Sequence, residues 1–323
     1  MSLPSPPSKT DAMFDDLLAW YDAAKRDLPW RAAPGAPVDA YAVLVSEVML
    51  QQTTVATVRG RFAGFMARFP TVEDLARAPL DDVLHAWQGL GYYRRARGLH
   101  GCALALVTEH AGRWPRTVEG LQNLPGVGPY TAAAIAAIAF DQPVLAVDGN
   151  VERVLARLFR VTTPLPGARA ELRRLAHGLR PQQRPGCTVQ AMIELGALVC
   201  RPRAPGCLTC PLRRHCQAAA AGEALSLPRK APKKARPQHF AVVFHLRRAD
   251  GAVLFRRRPA QGLLASMIEL PSTPWRATPP SPEAALALAP AHLAWQRQPG
   301  RVRHVFTHLS LELELWCGVF DGA

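Results

Sequence analysis

No stretch of this 323-residue chain approaches the roughly eighteen consecutive apolar residues of a membrane span. Its opening, MSLPSPPSKTDAM, has prolines and serines where a secretion signal would carry an apolar core. The expectation is a cytoplasmic protein working near the nucleoid. Acidic residues are also scarce, 25 Asp and Glu against 39 Lys and Arg, which leaves a formal net charge of +14. That excess points to a polyanionic partner, although charge alone would suit an anionic membrane or RNA as well as DNA. Seven cysteines in such a compartment argue against a disulfide framework. With 49% hydrophobic residues, the chain can fill cores in two domains.

The central stretch is LPGVGPYTAAAIAAIAFDQPVLAVDGN, residues 124–150. Gly126, Val127 and Gly128 form a glycine turn between two helical patterns, and a helix opens near Pro129. Such a turn brings bare amides close to an anion, and the helix N-terminus adds its positive end. It can seat a phosphate, or it can be a plain helical hairpin.

Two acids stand out beside it. In YAVLVSEVMLQQTTVATV an apolar stripe runs through Tyr41, Leu44, Val45 and Val48, which places Glu47 on the edge of the buried face. Partial desolvation there raises a carboxyl pKa and suits a general acid. Asp148 precedes the VERVLARLF helix and is expected to cap it, held ionised by the helix amides. Between these acids, Gly89-Leu90-Gly91-Tyr92-Tyr93-Arg94-Arg95 is a flexible basic loop whose rings could stack on bases or pack on the core.

Cys200, Cys207, Cys210 and Cys216 follow one another as C-x6-C-x2-C-x5-C. Four thiolates so close together make a closed metal centre, and the spacing accepts zinc or an iron-sulfur cluster equally. Cys102, Cys187 and Cys317 stand apart as free thiols. Residues 222–238 are Pro-rich and basic and read as a linker. Beyond it, HFAVVFHL and AVLFRRR flank the hairpin signal Ala249-Asp250-Gly251, and SLELELWCGVF alternates with period two.

Taken together, LPWR (28–31), SEVMLQQT (46–53), GLGYYRRARGLH (89–100), LPGVGPYTA (124–132), VDGNVERVLARL (147–158), QAMIELGALVC (190–200), the four cysteines and HVFTH (304–308) resemble the helix-hairpin-helix (endonuclease III-like) DNA glycosylase superfamily. Within it they resemble the MutY-type adenine glycosylases. The resemblance implies a mainly α helix-hairpin-helix glycosylase domain at 13–221, with an iron-sulfur loop at 200–216, after a disordered arm at 1–12. A smaller α/β MutT-like (Nudix-like) recognition domain would occupy 239–323.

The resemblance further implies a base excision repair enzyme that acts as a monomer on duplex DNA containing adenine opposite 8-oxoguanine or guanine. Glu47, Asp148, Tyr130 and Asn150 would form the catalytic centre. Trp30, Arg31, Gln190 and Glu194 would line the adenine pocket. Gln52 and Tyr92 would enter the duplex, while Gly126, Val127 and Gly128 hold its backbone. Phe306, Thr307 and His308 would read 8-oxoguanine, with threonine where the family usually has serine. The four cysteines would bind one 4Fe-4S cluster. Tyr130 stands where strand-cutting relatives carry a lysine nucleophile, and a tyrosine cannot form the Schiff base that β-elimination needs. Residues 262–270 resemble the start of a pyrophosphatase signature, but the STPWRATPPSP that follows lacks its R-E-x-x-E-E run, so recognition and not hydrolysis is expected there.

Overall fold

The computed structural model describes residues 9–33, 35–232, 235–259, 262–265, 267–306 and 308–320. Most of the arm expected at 1–12, together with Lys233, Lys234 and Thr307, lies outside the described residues. The chain divides into two compact units, Met1–Ala231 and Pro232–Ala323.

The first unit is helical. Its elements are α1 (Lys9–Ala24), α2 (Ala40–Leu50), α3 (Val55–Arg68), α4 (Val72–Arg77), α5 (Leu80–Ala86), α6 (Arg94–Thr108), α7 (Val118–Gln122), α8 (Pro129–Phe140), α9 (Gly149–Leu158), α10 (Arg169–Gly178), α11 (Pro185–Leu198) and α12 (Gln217–Ala220). Several starts are written locally. Thr54, Thr71, Thr117 and Asp148 each cap a helix by accepting a backbone amide of its first turn. Pro79 separates α4 from α5, because it cannot continue α4.

α1 ends at Ala24, before Pro29 is reached. Just beyond it, the carbonyl of Arg26 accepts from the Arg31 guanidinium at 2.7 Å.

Two hydrophobic cores share α8. Its Ala132, Ile135 and Ala136 pack with α2 to α7, and its Ala134 and Ala137 pack with α1, α9, α10 and α11. Small side chains on both faces let neighbours approach from both sides, which is why this helix is rich in alanine. α2 also departs from expectation. The stripe predicted one buried face, but residues are buried on every side of the helix, including Ser46 and Glu47. Core residues from separate parts of the chain cover the side that local periodicity would have left wet.

The hairpin between α7 and α8 turns at Gly126, whose φ of +74° is left-handed. A Cβ there would come within 2.8 Å of the Gly98 Cα, so glycine is also required by the close approach of α6. Gly128 caps α8 and Pro129 opens it.

The basic stretch after α12 begins on the first unit. Leu165 donates to the Arg229 carbonyl and accepts from the Ala231 amide, both at 2.9 Å.

In the second unit the strands are β1 (Gln238–Arg248), β2 (Arg256–Arg257), β3 (Ile268–Glu269), β4 (Gln296–Arg297), β5 (Val302–Val305) and β6 (Ser310–Phe320), with one short helix, α13 (Pro282–Leu286). β1 and β6 pair in parallel over their full lengths, and β4 and β5 pair antiparallel to β6. β2 and β3 form a separate antiparallel ribbon. The expected hairpin at Asp250 is present but short: Arg248 donates to Ala252 and Leu254 donates to Leu246 before the chain turns away. Phe244, Trp316 and Ala285 form its small core.

Candidate active site

The candidate catalytic residues lie where the two cores of the first unit meet. Glu47 comes from α2, Tyr130 from the first turn of α8, and Asp148 from the cap of α9. Glu47 is only 8% exposed. Burial pushes its carboxyl up to about 7 and the nearby charge of Asp148 adds to the rise, while a hydrogen bond from Tyr130 and the charge of Arg31 oppose it. The Tyr130 hydroxyl is itself pushed far above its ordinary value by burial and by both carboxylates, so it remains a donor to Glu47 at neutral pH.

Asp148 is saturated on one oxygen. Its Oδ1 accepts from the amides of Asn150 (2.9 Å) and Val151 (2.8 Å), and its Oδ2 accepts from the Asn150 side chain at 2.8 Å. A carboxylate has about four lone-pair sites, so Oδ2 keeps one available. Asn150 is held in turn by Arg153, whose Nη2 donates to its Oδ1 at 2.9 Å and to the Gly196 carbonyl at 2.7 Å. Gly196 has to be small: a Cβ would come within 2.6 Å of the Asn150 Cβ, and α11 could not then lie against the start of α9.

A buried ion-pair group adjoins the centre. Glu194 on α11 is fully buried and accepts from Arg26 Nε (2.8 Å) and Arg31 Nη2 (2.6 Å). The Arg31 guanidinium also lies over the Tyr21 ring, 5.6 Å from its centroid. Trp30 meets Phe62 edge-on at 5.7 Å and packs on the first core. Gln190, one turn before Glu194, is half-buried and bonds the Gly186 carbonyl at 3.2 Å. The sequence had pointed to Arg31 and Glu194; it gave no signal for Arg26, which joins them only through the fold.

Gln52 and Tyr92 are both exposed, and both adopt left-handed backbone, with φ of +56° and +48°. Such conformations are uncommon outside glycine and persist where surrounding structure holds them. Val127 is buried, so at that position only the backbone of the hairpin is presented.

The four cysteines line one open cavity between α9, α11 and α12, which Arg157 and Arg213 also line. The buried Arg157 donates to the Cys200 sulfur and carbonyl, both at 3.2 Å, and to the Leu227 carbonyl at 2.9 Å. Among the described residues no three Cys, His, Asp or Glu side chains converge closely enough to share one ion.

In the second unit, Phe306 stacks on Trp275 with centroids 6.1 Å apart and planes 24° from parallel, and His304 meets Phe306 edge-on at 4.4 Å. The Arg258 guanidinium lies over Trp275 at 4.8 Å and is anchored by Glu269, which also binds Arg256. His308 is exposed. Trp275 falls in a segment that the sequence left without a role. Glu269, in the stretch resembling a pyrophosphatase signature, is engaged by two arginines.

Residues 45–179 match the HhH-GPD superfamily of base excision DNA repair proteins, and residues 242–323 match the NUDIX domain. The adenine DNA glycosylase of Homo sapiens is 37% identical, in an alignment covering 98% of this chain and 68% of that protein. The chain belongs to the adenine DNA glycosylase family. It is therefore an adenine DNA glycosylase of base excision repair, and DNA is its partner. The helical unit also has solved counterparts. A thermostable thymine-DNA glycosylase is 28% identical with a TM-score of 0.58, covering 66% of this chain and 97% of that one. Endonuclease III, in a non-covalent complex with DNA, is 25% identical with a TM-score of 0.53, covering 65% and 94%.

Proposed function

We propose that this glycosylase hydrolyses the N-glycosidic bond of adenine paired with 8-oxoguanine or guanine in duplex DNA and leaves the strand intact. The observation that carries the chemistry is Glu47: a buried carboxyl with a pKa near 7, fixed by Tyr130 and facing the charge of Asp148. At neutral pH a large fraction of it holds a proton to give.

The target nucleotide leaves the stack, because its glycosidic bond is out of reach inside the duplex. Glu47 donates its proton to N7 of adenine. The C1′–N9 bond then breaks, and its electron pair departs with the base, leaving an oxocarbenium-like sugar. The free lone pair of Asp148 Oδ2 faces that positive charge, with Asn150 holding the carboxylate. Glu47, now a carboxylate, takes a proton from the water that attacks C1′. Arg31 and Glu194, with Trp30 and Gln190, would form the wall of the adenine pocket.

Strand cleavage by β-elimination needs an amine nucleophile. The lysines of this chain are Lys9, Lys25, Lys230, Lys233 and Lys234, so none lies on α2 to α11. The centre has Tyr130 instead, which supports a monofunctional enzyme.

Cys200, Cys207, Cys210 and Cys216 would hold a 4Fe-4S cluster. The cysteine spacing accepts zinc or a cluster, and the resemblance to the helix-hairpin-helix glycosylases is what favours the cluster. When bound, the cluster would cross-link the four thiolates and so brace the segment against which Arg157 packs. In the second unit, Phe306, Thr307 and His308 would read the base opposite adenine.

The test is single-turnover adenine release from duplexes with one A:8-oxoguanine, A:G or A:T pair, comparing wild type with Glu47→Gln. Release that requires a mispair and Glu47, with the product strand uncut until alkali is added, is expected. Strand cleavage with borohydride-trappable protein, or release indifferent to Glu47, would overturn the reading.

A further inference from the structure

The guanidinium of Arg95, at the start of α6, gathers acceptors from three separate segments. Nη1 donates to the carbonyls of Val48 and Met49 at 2.9 Å each, the two residues after Glu47 on α2. Nη2 donates to Thr53 Oγ1 at 3.0 Å, in the turn that carries Gln52. The same nitrogen donates to the carbonyls of Leu90 (2.7 Å) and Gly91 (3.1 Å), immediately before Tyr92. The guanidinium lies 5.4 Å from the Trp87 ring centroid and 5.7 Å from that of Tyr92.

The arrangement satisfies carbonyls in the last turn of α2 and has a cost, because Arg95 Nε is buried without a hydrogen-bond partner among the described residues. Its effect is to hold two exposed residues in left-handed backbone at fixed positions relative to the end of α2. Only the planar fork of arginine can serve carbonyls on both sides and stack on rings at once; a lysine ammonium is a point donor.

We propose that Arg95 is a positioning residue for base extrusion, joining the residues that enter the duplex to the helix that carries the general acid. This rests on the reading of Gln52 and Tyr92 as the residues that enter the duplex. Displacing either loop on DNA pulls on the carbonyls beside Glu47 through one rigid group, so the acid is aligned when the loops are seated.

A double-mutant cycle tests the link. Adenine release from an A:8-oxoguanine duplex would be measured for wild type, Arg95→Lys, Tyr92→Ala and the double variant. Extrusion would be followed in parallel by 2-aminopurine fluorescence at the target position. Arg95→Lys should slow extrusion and release together by about ten-fold to a hundred-fold, the cost of a misplaced group. In the Tyr92→Ala background the same change should cost little more. The pH at which release declines, which reports Glu47, should stay in place.

Equal losses in both backgrounds, or normal extrusion in Arg95→Lys, would overturn the proposal. Should Arg95→Lys fail to fold, Thr53→Val removes a single acceptor and should show a smaller loss with the same dependence on Tyr92; an additive loss there would overturn it equally. Wild-type protein that releases no adenine from either mispair would instead defeat the functional reading, and 2-aminopurine extrusion by Arg95→Lys would still decide the role of Arg95.

Discussion

The Tyr130 hydroxyl, at the first turn of α8, donates a hydrogen bond to the Glu47 carboxyl on α2, and this bond opposes the burial that leaves the carboxyl pKa at about 7. The two residues thereby set the pH range in which the acid can act. Adenine release by the wild type should fall as pH rises through about 7, because Glu47 loses the proton it must give. Tyr130→Phe removes the donor, so the falling limb should move to higher pH while the plateau drops. Single-turnover pH profiles of the two proteins would show it; an unmoved limb would mean that Tyr130 does not tune Glu47.

Glu47 should also cost stability. Its pKa is near 4.5 in the unfolded chain and about 7 in the folded one. The folded state therefore binds the extra proton between these values, and stability falls as pH rises from about 4.5 to about 7. At about 1.4 kcal/mol per unit the penalty is on the order of 3 kcal/mol at pH 8. Glu47→Gln should accordingly melt higher than wild type at pH 8 and at a similar temperature at pH 4.5. A variant that melts lower at pH 8 would contradict the buried-carboxyl picture.

Purified protein should be coloured and contain about four irons per chain if the cysteines hold a cluster. Replacing Cys207 or Cys210 with alanine should remove both iron and colour and lower the melting temperature, because a metal bound only by the folded chain contributes its binding energy to folding. Cys102→Ala, a buried thiol of the other hydrophobic core that does not line the cavity, is the control and should leave iron unchanged. Stoichiometric zinc in protein prepared without oxygen would decide against the cluster.

Trp275 supports one face of Phe306, and Arg258 covers Trp275 in turn. Stacking of this kind contributes about 0.5–1.5 kcal/mol, so Trp275→Ala should lower the preference for A:8-oxoguanine over A:G by up to about ten-fold. Release from A:G should be nearly unchanged. Equal losses on both duplexes would assign Trp275 to folding alone.

The parts of the site that were legible in the chain are those fixed within a few residues. Asp148 caps α9 because a carboxylate three residues before an amide can reach it, and that geometry is the same wherever such a helix starts. The turn at Gly126 was legible for the same reason, since only glycine enters a left-handed turn without strain. The cysteine spacing pointed to a metal centre without choosing its occupant, and the structure brings the four residues to one cavity.

What the sequence could not specify is what comes from far along the chain to cover a given face. Periodicity placed Glu47 at the rim of a half-buried helix; packing from two cores sharing α8 buried it, and that burial raises its pKa. Arg26 reaches Glu194 across 168 residues, Arg95 reaches Val48 across 47, and Trp275 stacks on Phe306, 31 residues further along the chain. Residue types, caps and turns were determined by the sequence alone, because they depend on neighbours within about one helical turn. The acidity of Glu47 and the placement of the arginines were decided by the tertiary structure, because desolvation and ion pairing depend on which distant groups are brought within a few ångströms.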